Sequence, residues 1–221
     1  TMFTAPPEAT LEWNDSAVEG SWKFLRRVWA FAAKNEKALR GETWKQPDCK
    51  FSDSEVAFRR REVYLTLSQV THDFERIQYN TVVSGCMKML NALDRFEIRE
   101  SHLELLNTAE RAEIEKFNYQ VAAVWRECFP ILLRVLYPVC PHISHGLWAE
   151  LGYAGEILNA AWPEVDASAL VSDTVELVLQ INGKTRGSIV VPSSADKTAI
   201  EAAAAASPDV AKYGEGRAPK K

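Results

Sequence analysis

The side chains that could do chemistry fall in a few short stretches, and most of them do not assemble into a reacting set. Cys140, His142 and His145 lie within "CPHISHGLW". A His-x-x-His pair can serve a metal, but no carboxylate is close in sequence and Pro141 separates the cysteine, so helix-start packing is the competing reading. The string also lacks the glycine position and the preceding strand of a nucleotide-binding HIGH motif. Glu113 and Glu115 are a carboxylate pair on a charged helical stretch, where solvation is the simpler role. No Gly-rich phosphate loop opens a helix and no Gly-x-Ser-x-Gly elbow occurs. With no nucleophile, base and oxyanion donor in one constellation, the chain reads as non-catalytic, with no metal ligand and no cofactor of its own.

The remaining candidates are basic. "FRRREVY", Phe58 to Tyr64, carries consecutive arginines, which on a helix point about 100° apart and cannot share one face. Some could face a phosphate backbone while the others meet solvent. "LVLQINGKTRGSIVVP", Leu177 to Pro192, reads as a β-hairpin whose Asn182-Gly183 turn is followed by Lys184 and Arg186. In an unbroken pleat Lys184 and Arg186 point to one face. Two cations beside a rigid turn suit phosphate contacts that read no sequence, and they equally suit a charged strand edge that discourages aggregation.

These residues need scaffolding, and the chain has enough for it: 221 residues, 47% hydrophobic and 25% charged. Seven tryptophans call for N–H partners wherever they are buried. The cysteines at 49, 86, 128 and 140 form no CxxC pair, so reduced cytosolic thiols are expected. No apolar run is long enough for a membrane span, and the N-terminus lacks the charged start and apolar stretch of a signal peptide. Net charge is −4, yet residues 19–61 hold eleven basic against six acidic side chains, and residues 94–127 hold eight acidic against five basic. A locally positive face suits a nucleic-acid backbone; ordinary solvated helix faces give the same pattern.

Ser16 and Glu19 have the spacing of a capping box, and a helix is predicted from there to about Ala33. Val18, Trp22, Leu25, Trp29 and Ala32 form one stripe on it, and Phe24, Val28 and Phe31 a second. From Ser54 to about Leu93 there is no proline, which predicts one long helix bent near Gly85. A further long helix spans about Ala109 to Tyr137, with Pro130 expected to kink it. A last bundle helix runs from Pro141 or His142 to Leu151. "GYAGEILNAAWPEVDASAL" reads as irregular linker; after it the period changes to that of strands, and "SADKTAIEAAAAAS" reads as helix. The expected fold is mainly α: a helical bundle over residues 1–163, a linker over 164–172, and a small α+β unit, a β-hairpin plus helix, over 173–221.

"APPEATLEWNDSAVEGSWKFLRRVW", "IQYNTVVSGCMKMLNAL" and "LYPVCPHISHGLWAELG", followed by Trp162-Pro163 and "LQINGKTRG", together resemble the part of bacterial-type leucyl-tRNA synthetases, class I enzymes, that follows the catalytic core. Trp13 and the Pro-His-Ile string alone would fit valyl- and isoleucyl-type enzymes as well; the hairpin soon after the bundle tips the resemblance toward leucine. It implies an anticodon-binding-type bundle and a truncated C-terminal β-β-α tRNA-binding domain, cut from an enzyme that attaches leucine to tRNA using ATP and Mg. It implies leucine tRNA and the catalytic domain in cis as partners, a monomer, no membrane, and the cytoplasm. Lys184, Arg186, Arg59, Arg60 and Lys212 become its tRNA-binding candidates, the hairpin pair at the outer corner of the L-shaped RNA. A free-standing helical protein-interaction module is the rival from another class; an exposed apolar patch around Trp13, Trp22 and Trp44 would favour it, while under the synthetase resemblance the same patch would mark the missing catalytic domain.

Overall fold

A computed structural model describes residues 10, 15–44, 51–99, 107–171, 174–181, 184–192 and 195–207. Trp13, the Asn182-Gly183 turn, Cys49 and Lys212 lie outside the described residues. The chain divides into two compact units, Thr1–Leu170 and Val171–Lys221.

The first unit is a helical bundle. Its helices are α1 (Asp15–Lys34), the short α2 (Glu36–Leu39), α3 (Ser54–Glu75), α4 (Tyr79–Asp94), α5 (Thr108–Leu136), α6 (Pro141–Glu150) and the short α7 (Ala167–Leu170). The long apolar α5 is the central member, packing against α2, α3, α4 and α6. Trp125 and Phe129 of α5 are fully buried, and both rings meet Phe31 of α1, at 5.6 and 5.2 Å between centroids. The Trp125 indole N–H donates to the Leu93 carbonyl at 3.0 Å, and Trp148 does the same to Gly155. These are the partners that buried tryptophans require. Pro130 sits inside α5 without ending it.

Local chemistry sets the helix ends. Asp53 caps α3 by accepting from the Glu55 and Val56 amides, and Asn107 with Glu110 forms a capping box at α5. Pro141 takes the first helical position of α6. At the far end of α6 the Gly152 and Tyr153 amides donate back to Ala149 and Trp148, with Gly152 at φ 73° and the Trp148 and Tyr153 rings 4.8 Å apart. That is a Schellman motif with its apolar contact.

The predicted long helix over 54–93 is two helices. It breaks at Arg76–Gln78, where the Ile77 and Gln78 amides donate to Phe74 and Asp73. The bond pattern is again a Schellman motif, but the left-handed position is held by Ile77 at φ 59° instead of glycine. With no Gly or Pro at the break, the sequence carried no stop signal. Gly85 does not bend the chain. It is the contact point of α3 and α4 in a tight helical hairpin: a Cβ there would lie 2.1 Å from Val70 Cγ1.

The first unit also extends beyond the predicted boundary. Residues 164–170, expected as linker, carry α7 on α3, and the chain from Trp162 onward is bonded to α3 side chains. In the second unit β1 (Thr174–Ile181) pairs antiparallel with β2 (Lys184–Pro192), and α8 (Lys197–Ala206), capped by Asp196, packs on β2. Leu177 and Leu179 are half-buried while Val178 between them is exposed, the alternation of a one-sided sheet. A mainly α bundle followed by a β-hairpin and helix is the architecture that the periodicities predicted.

Candidate nucleic-acid interface

The arginines that open α3 do three different things. Arg59 pairs with Glu62 at 2.6 Å and lies 5.1 Å from the Phe58 ring. Arg60 is only 9% exposed. Its Nε and Nη2 donate to the Glu127 carboxylate of α5 at 2.7–3.0 Å, and Nη2 donates to Asp166 as well. Phe51 and Tyr64 flank the guanidinium at 4.8 and 5.1 Å, and the Tyr64 hydroxyl donates to the same Glu127 at 2.6 Å. Arg61 donates to the Leu170 carbonyl at 3.2 Å. This spread follows from the 100° between successive residues on a helix.

The electrostatics agree with a closed network. Burial alone would lower the Arg60 pKa, but the Glu127 and Asp166 carboxylates outweigh it and hold the guanidinium above its ordinary range. Burial first, then the bond to Glu127, raises the Tyr64 phenol. The Ser168 hydroxyl, then Arg60, holds the Asp166 carboxyl below its usual range. Arg60 is thus committed to protein carboxylates, and Arg59 to Glu62. Glu127 and Asp166 lie 67 and 106 residues from Arg60 in sequence, and no local spacing could have paired them.

In the second unit the ladder places Lys184 opposite Ile181, directly after the turn. It then pairs Gln180 with Thr185 and Leu179 with Gly187, so Arg186 has no partner across the ladder. Arg186 is the extra residue of a β-bulge, a device that re-aims a strand near a functional edge. The shared-face argument for Lys184 and Arg186 assumed an unbroken pleat, which this ladder does not have.

His145, from the His-x-x-His pair, meets Glu156 at 3.0 Å. Among the described residues no three His, Cys, Asp or Glu side chains gather as a metal site. The buried thiols of Cys86 and Cys128 are pushed up in pKa, chiefly by burial, which keeps them protonated. On α1 the two predicted stripes part company. The second, Phe24, Val28 and Phe31, is buried; of the first, Ala32 is buried and Leu25 packs against the core, while Val18, Trp22 and Trp29 are 47%, 55% and 46% exposed. Arg26 lies over the Trp22 ring at 4.5 Å. Trp44, the other described member of the suspected apolar patch, packs on Tyr119 instead. No helix among the described residues is long and apolar enough to cross a membrane.

A long central helix with shorter helices packed around it, then a hairpin-and-helix unit, is a mainly α architecture with a small α+β appendage. The model for the anticodon-binding domain of tRNA ligase matches residues 60–201, and the chain belongs to that family. The leucine–tRNA ligase of Leptothrix cholodnii is 53% identical over 98% of this chain, which spans 22% of that protein. The leucine–tRNA ligase of Paracidovorax citrulli is 53% identical over the whole chain, which spans 24% of it. The chain thus covers about a quarter of the relatives' length or less. Among solved structures, the ternary complex of Agrobacterium radiobacter K84 agnB2 LeuRS with tRNA and LeuAMS matches with a TM-score of 0.64 at 23% identity, over the whole of this chain and 26% of that one.

Proposed function

We propose that this chain is the tRNA-binding, non-catalytic portion of a leucine–tRNA ligase. The observation that carries the reading is the identity of about half, from end to end, to leucine–tRNA ligases. The ATP- and Mg-dependent attachment of leucine belongs to the larger part of such an enzyme, and this portion supplies binding energy and orientation to the RNA. Phosphate contacts are assigned to Lys184 and Arg186 on β2, next to and at its bulge, and to Lys212. Arg59 and Arg60 act within the bundle, through Glu62 and through Glu127 and Asp166. The exposed face of α1, with Val18, Trp22 and Trp29, is assigned to the catalytic portion in cis, since an apolar stripe at helical spacing on an otherwise well-packed bundle marks a contact surface. The enzyme so constituted is a cytoplasmic monomer.

Binding to leucine tRNA and valine tRNA at two salt concentrations, about 50 and about 200 mM, tests the reading, because each phosphate contact adds a share to the log–log salt slope. Salt-sensitive binding that favours leucine tRNA is expected. Equal weak binding to both would reduce the chain to a generic basic surface. Binding to neither, together with capture of a protein through the α1 face at a flat salt slope, would favour the interaction-module reading.

A further inference from the structure

The carboxyl-terminal edge of the bundle is fastened along α3 in three places. The Trp162 indole N–H donates to Thr71 Oγ1 at 2.9 Å, and its ring lies 4.9 Å from Phe74. Asp166 accepts from Arg60, and the Leu170 carbonyl accepts from Arg61. Leu170 is the last residue of the first unit, and the second unit starts at Val171. We propose that Arg60 is a positioning residue: through Asp166 it clamps the strap of residues 162–170 to α3 and so fixes the point at which the chain leaves the bundle for the hairpin bearing Lys184 and Arg186. The inference rests on the tRNA-binding reading and adds to it a cation that serves RNA binding without touching RNA.

The chemistry of the clamp requires arginine. Glu127 engages Nε and Nη2 side-on, and Nη2 still reaches Asp166. A lysine is a single point charge and cannot hold both carboxylates in that fork geometry. Asp166 also accepts from the Ser168 amide at 2.8 Å at the start of α7. Asparagine keeps that acceptor and loses the charge, so Asp166→Asn opens the clamp and spares the cap.

The test uses the whole 221-residue chain, as wild type, Asp166→Asn and Arg60→Lys. It reads amide exchange over residues 160–171, together with affinity and salt slope for leucine tRNA. A phosphate contact and a clamp give opposite signs for Asp166→Asn. If Arg60 touched phosphate, removing the neighbouring negative charge would tighten binding, and Arg60→Lys would retain it. The clamp instead calls for strap exchange about tenfold faster with α5 amides unchanged. It also calls for weaker tRNA binding in both variants at an unchanged salt slope. Unchanged strap exchange, tighter binding by Asp166→Asn, or wild-type binding by Arg60→Lys each overturns it. A wild-type chain that binds no leucine tRNA overturns the function on which the clamp rests. A chain that binds normally while both variants exchange as wild type overturns the clamp alone.

Discussion

Glu127 is the residue on which the network turns, because Arg60 and Tyr64 both donate to it. Removing Arg60 would strand a partly buried carboxylate, so Arg60→Ala is expected to cost about 3–5 kcal/mol in urea unfolding. Tyr64→Phe removes one hydrogen bond to a charged acceptor and is expected to cost about 1.5–3 kcal/mol at neutral pH. Because the folded phenol has a raised pKa, its stabilising share is complete below the unfolded value of about 10 and is lost as pH climbs above it. The difference between wild type and Tyr64→Phe is therefore expected to shrink above that pH. A difference that grows there would contradict the assignment. Asp166, whose pKa is lowered, contributes on the other limb: its share is present above about 4 and is lost as pH falls through the folded value. Acid unfolding of Asp166→Asn is expected to have a correspondingly shallower limb.

At the scale of elements, the instructive position is the α3–α4 hairpin. The end of α6 was readable because Gly152 stands where the left-handed residue belongs. The end of α3 was not, because Ile77 stands there, and a β-branched residue at positive φ is tolerated only where the surrounding bonds over-determine it. Ile77 is half exposed. Ile77→Asn is expected to leave stability unchanged or raise it by up to about 1 kcal/mol, since Asn enters this conformation at less cost. Gly85→Ala sends a methyl into Val70 across the hairpin and is expected to destabilise by about 1–3 kcal/mol in the same assay. Equal stability of Gly85→Ala and wild type would mean that the two helices do not approach so closely. The helix period, the strand pairing and Pro141 at the start of α6 were legible because each is written within a few residues, whereas the caps Asp53, Asn107 and Asp196 were not singled out. The Arg60–Glu127–Asp166 cluster was not, because its members meet only through tertiary packing. The same holds for the stripe on α1: periodicity found both apolar faces, but which of them meets the core depends on what else packs there.

For the whole molecule, the first compact unit ends at Leu170, within the stretch 164–172 expected as linker. A chain ending at Leu170 is expected to unfold with the bundle's full stability. One ending at Pro163 loses the Asp166 clamp and α7 and is expected to be about 1–3 kcal/mol weaker. Equal midpoints in the two truncations would show that residues 164–170 add nothing to the bundle.

On the proposed function, Lys184 and Arg186 of β2 hold leucine tRNA. The most direct measurement is an equilibrium titration of labelled leucine tRNA with the wild-type chain and with Lys184→Glu/Arg186→Glu, across a salt series. The double variant is expected to bind more weakly and to lose about 1–2 units of salt slope, at about 0.7–0.9 per phosphate contact, with the unfolding curve of the bundle unchanged. Wild-type affinity and slope in the double variant would contradict it.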